Sequence, residues 1–448
     1  MPCFAPAAVT RPKKSPRRSS APSVAARIWL NPLSATSAVK SSSLLIEFQC
    51  PQCGAPATLE ETDHLFNCGF CRVNSYLMSR VYRYVLPDNA SENRELIYFP
   101  YWRFKGLLFS CVSNGIKHRI VDVSYQAIQS PYFPVSLGLR SQTLKLRFLS
   151  PDNKGYFLKP DLSFEEITHS IKERFNASLP KPIFHQDFIG ETLSQIYAPF
   201  YVDRKVYDAV LNKAVSQQPP EDFNPFALPG GAAEWRVRFV PAQCPRCGWD
   251  LKGQRDSLAL NCDHCNSVWY PGKEELKEIP FVFLPEESNQ ITYLPFYRMQ
   301  ADVSGMDLSS YADLIRVANL PKVVQDDWKE MPFYFWSPAF KVRPDDFLHF
   351  SRNLTLSQPQ EKGISEFPKA QHYPVTLPLT EAIESLKLGL ASFMKPQRSL
   401  FPKLEEIKIK PKGFLLVFAP FHERGNELTQ PDYQLRINKN LLKFARHL

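Results

Sequence analysis

Glycine and methionine are scarce in this chain: 17 and 6 of 448 residues, against 40 prolines. Few glycines leave few places for left-handed backbone, so connections must be stiffened by proline rather than loosened by glycine. No apolar run approaches the roughly 18–20 residues of a membrane-spanning helix. The longest, GFLLVFAPF around Phe414, is about half that length and contains a proline. Acidic side chains are absent from residues 1–46, which carry seven basic ones. Catalytic signatures are missing too: there is no phosphate-binding glycine loop, no G-x-S-x-G elbow and no H-E-x-x-H helix. The nine histidines are scattered. His118, His169, His185 and His349 have no carboxylate or cysteine at a telling spacing, and the pairs Glu60–Glu61 and Asp326–Asp327 read as solvated turns or faces. The chain is accordingly read as a non-enzyme.

What is present points to β-rich globular structure. Hydrophobic residues make up 44% and aromatics 13%, enough for real cores. The length suits two or three domains. The net charge of +9 belongs mostly to the amino-terminal tail, because the rest of the chain holds 47 basic against 45 acidic residues. That tail, rich in Ser, Ala, Pro and Arg, reads as a disordered segment or as an organelle transit peptide. A cytoplasmic location is expected, with an organelle as the alternative if the tail is a targeting segment.

Eight of the ten cysteines fall into two matching clusters, CPQCGAPATLEETDHLFNCGFC (Cys50 to Cys71) and CPRCGWDLKGQRDSLALNCDHC (Cys244 to Cys265), at a constant offset of 194 residues. Two C-x-x-C pairs per cluster suit a tetrahedral site for a thiophilic metal. Each pair forms a tight turn aiming two sulfurs at one point. Pro51 and Pro245 stiffen the first turn, and Gly54 and Gly248 supply the left-handed backbone after it. The 14 residues between pairs are expected to form a β-hairpin in each copy. Iron in a rubredoxin-like site and a redox dithiol remain alternatives. His264 lies inside a knuckle but is surplus to four sulfurs. Cys111, in an apolar strand, reads as an inert buried thiol.

Both clusters resemble zinc ribbons of the rubredoxin-like class, with C-P-x-C-G as the first knuckle. The resemblance covers roughly 30 residues per copy. It implies two structural zinc ions, one held by Cys50, Cys53, Cys68 and Cys71 and one by Cys244, Cys247, Cys262 and Cys265. A shell of four sulfurs leaves no open position for a catalytic water.

Further landmarks recur in order: YFPYWR (Tyr98–Arg103) with YLPFYR (Tyr293–Arg298), YFPVSLGL (Tyr132–Leu139) with HYPVTLPL (His372–Leu379), and YAPFYV (Tyr197–Val202) with FAPFHE (Phe418–Glu423). The expected fold is therefore α+β and β-rich. It comprises two pseudo-repeated halves, each a four-cysteine ribbon followed by a mainly antiparallel β domain with one or two helices. The second copy carries an insertion of about 45 residues between YLPFYR and HYPVTLPL. The expected units are a basic tail (1–46), a first ribbon (47–80), a first β domain (81–215), a linker (216–241), a second ribbon (242–272) and a second β domain (273–448). Helices are expected from a Ser163 cap with Glu166 in a capping box, and from a Thr380 cap with Glu384 in the first turn. Pro100, Pro199, Pro295 and Pro420 are placed at strand starts or edges. Tyr101, Trp102, Phe296 and Tyr297 are expected to fill cores, with Arg103 and Arg298 covering them. A ligand or partner groove is the alternative for these aromatics.

The leading functional expectation is a zinc-stabilised scaffold or adaptor that engages another protein. Nucleic-acid binding is the second. It is disfavoured because the first ribbon carries four acids and one arginine, and the second balances three basic against three acidic residues. Peripheral membrane association is the third.

Overall fold

The computed structural model describes residues 44–78, 81–90, 94–138, 144–215, 223–272, 274–288, 290–360 and 362–446; the basic segment lies outside them through residue 43. Among these residues no helix is long and apolar enough to cross a membrane.

The first half runs β1 (Leu45–Gln49), β2 (Pro56–Glu60), β3 (Leu65–Asn67), β4 (Asn74–Leu77), β5 (Tyr82–Val85), β6 (Ile97–Val112), β7 (Gly115–Gln126), β8 (Leu146–Phe148), β9 (Tyr156–Leu158), α1 (Phe164–Asn176), β10 (Ile183–Asp203), β11 (Lys205–Asp208) and β12 (Lys213–Ala214). The stretch expected as a linker contributes β13 (Gly230–Gly231) and β14 (Phe239–Pro241). The second half runs β15 (Leu260–Cys262), β16 (Ser267–Pro271), β17 (Leu276–Ile279), β18 (Phe281–Phe283), β19 (Ile291–Ser304), α2 (Tyr311–Val317), β20 (Phe335–Pro338), α3 (Pro344–Ser357), β21 (Gln371–His372), α4 (Leu379–Glu384), α5 (Leu386–Phe393), β22 (Lys408–Arg424), β23 (Glu427–Gln430) and β24 (Leu435–Asn438).

These strands build an 11-stranded sheet around β6 and β10, a 7-stranded sheet around β19 and β22, and two three-stranded sheets, β14-β4-β3 and β15-β16-β17. Most pairings are antiparallel, but β5 with β10, β6 with β9, β1 with β8, β18 with β22 and β19 with β21 are parallel. The architecture is thus β-rich α+β. The central strand β6 is buried on both faces, which is why IYFPYWRFKGLLFSCV reads as a nearly unbroken apolar run. On one face of β6, Phe104 and Leu108 pack under Ile167 and Ile171 of α1. On the other, Leu107, Phe109 and Cys111 join the core of the second half. The two halves therefore share one interior.

Two of the aromatic–proline landmark pairs, Tyr98–Arg103 with Tyr293–Arg298 and Tyr197–Val202 with Phe418–Glu423, fall on the central strands in the same register in both large sheets. Tyr98 faces Pro199 and Pro100 faces Tyr197; Tyr293 faces Pro420 and Pro295 faces Phe418. The four prolines are not at strand starts or edges, as expected, but in mid-strand. Each sits where the central strand changes partner on one side. Beside β6, β9 pairs through Tyr98 and β7 begins at Tyr101; beside β19, β21 pairs through Tyr293 and β20 begins at Phe296. Beside β10, β5 ends at Tyr197 and β11 begins at Phe200. Beside β22, β18 ends at Phe418 and β23 begins at His422. The missing N–H falls into the gap, so no ladder bond is lost. The carbonyl still works: Ala127 N–H donates to Pro100 O and Ala339 N–H to Pro295 O.

Other expectations need correction. Tyr132–Gly138 forms a loop, whereas His372 lies in β21 beside Tyr293. The corresponding place beside Tyr98 is filled by Phe157 of β9. The connection between β19 and β20 is long and carries α2, whereas β6 and β7 are joined by a tight turn; it lies between Arg298 and His372, the interval in which extra chain was expected. The Ser163–Glu166 capping box is present. The Thr380 cap is not: α4 starts at Leu379 after Pro378, with Glu381 in its first turn. Tyr101, Phe296 and Tyr297 are fully buried, which assigns them to cores rather than to a groove. Arg298 lies over the Tyr334 ring at 4.9 Å. Arg103 does not cover a core; it is buried in one, paired with Glu61 and, at 3.0 Å, with Asp122. Glu61 is accordingly no solvated turn residue.

A buried guanidinium between two carboxylates is costly to break from one side, because the remaining charges stay desolvated. Arg103→Met is expected to lower stability by about 3 kcal/mol, measured by urea denaturation. The double variant with Glu61→Leu should recover a substantial part of that loss.

Candidate metal centres

The cysteine pairs sit at the tips of hairpins, not at the ends of one. In the first ribbon β1 and β2 pair with each other across Cys50–Cys53, and β3 and β4 pair across Cys68–Cys71. The hairpin expected between the pairs does not form there: β2 stays in the large sheet and β3 joins the small one. In the second ribbon the same role falls to the bridge Gln243–Asp250 and to β15 with β16. There the inter-pair contact survives as one bridge, Lys252–Asn261. The knuckle is the turn, and pairing on its two flanks brings the sulfurs together.

Backbone geometry supports this locally. Gly54 and Gly248 N–H groups donate back to Cys50 O and Cys244 O at 2.9 and 2.8 Å. They hold φ of 74° and 75°, the left-handed values for which glycine is suited. Arg72 (φ 60°) and Asn266 (φ 47°) take the same position after the other pair. Asparagine tolerates this conformation well; the arginine gave no signal for it.

All eight expected ligands converge into two quartets. Within each, the sulfurs lie within 4.8 Å of one another. The closest distances are 3.8 and 3.7 Å in the first (Cys50–Cys71, Cys53–Cys68) and 3.6 and 3.5 Å in the second (Cys244–Cys265, Cys247–Cys262). Four sulfurs at about 2.3 Å from one tetrahedral ion lie roughly 3.8 Å apart, so the donor set fits a metal of that size. In each quartet two cysteines are buried, one is intermediate and one is exposed. The thiols are ready to ionise unequally. N–H groups of Cys71 and Phe70 draw Cys68 down to about 6. Burial opposes ionisation of Cys244, but N–H groups of Cys247 and Arg246 bring it to about 7.

The two sites differ in their surroundings. Ser267 Oγ lies 3.1 Å from Cys265 Sγ and accepts the Trp269 indole N–H at 2.8 Å. With that bond accepted, its own O–H is available to the sulfur. Val73 occupies the matching place in the first ribbon, so no hydroxyl is offered there. His264 stacks on Trp249 at 5.0 Å and is no ligand. Burial pushes the Cys111 thiol up to about 12, as befits an inert core group. His185, read as lacking a partner, contacts Asp187 directly. The two share a strand face at i, i+2, a spacing the sequence reading did not weigh.

Comparison of the chain with models of known protein families, with curated proteins and with solved structures gives no match.

Removing the hydroxyl that supports one sulfur should weaken one site alone. Ser267→Ala is expected to lower the affinity of the second quartet about tenfold and leave the first unchanged, read as a split transition in competitive chelator titration.

Proposed function

We propose that each quartet binds one structural zinc ion, and that the protein is a non-enzymatic scaffold that presents its ribbons to another protein. Four thiolates with no oxygen or nitrogen donor favour zinc among common ions, and a full shell suits structure rather than catalysis. Metal analysis is expected to give two zinc ions per chain; iron would reject this part of the reading.

The observation that carries the partner reading is an exposed aromatic at a knuckle of each ribbon. Phe70, inside the second pair of the first ribbon, is 74% exposed, and Trp249, just after the first pair of the second, is 58% exposed. Rigid, projecting aromatics are the side chains that dominate protein–protein contacts. The ribbons' inner sides are already engaged. Tyr76 and Met78 of the first pack with Leu251, Leu260 and Trp269 of the second.

We also read the two halves as copies of one unit. The shared proline register of the central strands supports this, as does a common parallel neighbour: Leu86 N–H donates to Tyr197 O and Leu284 N–H to Phe418 O, both at 3.0 Å. On this reading Phe157, not Tyr132, corresponds to His372.

Phe70→Ser and Trp249→Ser should abolish recovery of a specific protein from native extract while zinc content and melting temperature stay unchanged. A partner retained by the double variant would refute the ribbon tips as the contact.

A further inference from the structure

Strand β7, 12 residues long, pairs with β6 on one side; among the described residues no strand pairs with its other side. The end nearest Gln126 is covered. There the Gln126 N–H donates outward to Val135 O at 2.9 Å, whereas the next N–H, of Ala127, turns back to Pro100 O of β6. Backbone groups alternate in direction along a strand. Counting back from Gln126 through an unbroken register, Ile116, His118 and Ile120 therefore turn their N–H and C=O groups outward, while Lys117 and Arg119 bond β6 opposite Ser110 and Leu108. Lys117, His118, Arg119 and Ile120 are all exposed, Ile120 by 58%. A long edge that offers backbone groups and a branched apolar side chain is open to strand addition. This surface is separate from the ribbon tips, and the inference does not rest on them.

Side chains alternate as well. Lys117 and Arg119 lie on the face covered by α1, and the Arg119 guanidinium sits 4.9 Å above the Phe175 ring. The two cations border a hollow of about 290 Å³ whose apolar lining is Leu108, Phe175, Leu179 and Pro180. Among the described residues that line it, none is acidic. Neither Lys117 nor Arg119 has an ion-pair partner among the described residues. Acids on the adjoining elements are engaged elsewhere: Asp122 with Arg103, Glu173 with Asn176, Asp187 with His185 and Asp345 with His118. Glu165 and Glu166 stand in the first turn of α1, at its other end. The last carbonyls of that helix are capped, Phe175 O by the Ser178 hydroxyl at 2.9 Å and Asn176 O by the Leu179 N–H at 3.2 Å.

Backbone and charge together define what fits. A strand laid along β7 places alternate side chains opposite Lys117 and Arg119. Opposite charges directly across a sheet stabilise the pairing and like charges destabilise it, so these two positions call for carboxylates and reject a basic segment. The intervening side chains fall on the other face, opposite Ile116, His118 and Ile120, where the outer two meet isoleucine.

We propose that β7 accepts, as an added strand, an extended segment of another protein that carries acidic residues at alternate positions flanked by apolar ones, with Lys117 and Arg119 binding its two carboxylates. The test uses the metal-loaded full chain and fluorescence anisotropy of a labelled peptide containing Val-Glu-Thr-Glu-Val, an order that reads the same in either strand direction. Controls are Val-Lys-Thr-Lys-Val and the acidic peptide N-methylated at Thr and at the second Glu, which keeps every charge but removes ladder N–H groups. Saturable binding of the acidic peptide is expected, weaker by about tenfold or more for both controls. Ile120→Pro removes an outward N–H without costing β6 a bond; it should weaken binding to the same extent with melting temperature retained. Lys117→Glu combined with Arg119→Glu, both at exposed positions, should abolish binding and keeps the test valid if Ile120→Pro fails to fold. Phe70→Ser with Trp249→Ser should bind the peptide unchanged. No saturable binding at millimolar concentration would overturn the proposal. So would equal binding of either control peptide, or binding that survives the charge reversal. Sedimentation showing the chain itself dimerising, and losing the dimer in Ile120→Pro, would give the edge to a second copy and overturn it too.

Discussion

Four sulfurs converging on one point substitute for the interior that a short segment is unable to build. A ribbon of about 30 residues buries too little apolar surface to fold unaided, whereas a thiolate-bound ion supplies on the order of 10 kcal/mol. In this chain such anchoring would extend beyond the first ribbon. Strands β1 and β2, which flank the first knuckle, belong to the 11-stranded sheet, and β4 pairs with β14 on the way into the second ribbon. An ion in the first quartet would therefore steady the edge of the 11-stranded sheet as well as its own hairpins.

The large sheets solve a different problem in a shared way. A central strand of 14 to 21 residues outlasts any one of its short neighbours and must change partners along its length. At each change a residue loses its ladder contact on one side. Placing proline there removes the N–H that would otherwise be stranded, and the flanking aromatics fill the cores on either face. The motif is thus a structural joint, set at the same place in both large sheets.

Part of this was legible beforehand. The eight cysteines declare themselves by spacing, because a C-x-x-C turn is local chemistry. The Ser163 capping box is equally local. The prolines were visible but misplaced, since the partner change that explains them involves strands far away in sequence. Glu61 looked solvated beside Glu60, and only the fold brings Arg103 to it. The Glu381 carboxylate accepts from the Gly190 N–H at a slip in the register of β10, which no periodicity announces. His185 and Asp187 were adjacent enough to be noticed, had strand spacing been applied to them.

One consequence follows from where the first ribbon's residues point. Tyr76 lies five positions after Cys71, in the strand that leaves the knuckle, and it is wholly buried while its hydroxyl donates to Leu258 O of the second ribbon. An ion seated in the first quartet would hold, through β4, a contact that the second ribbon shares. By reciprocity, any free energy such an ion contributed to this contact would be returned by the contact to the affinity of the site.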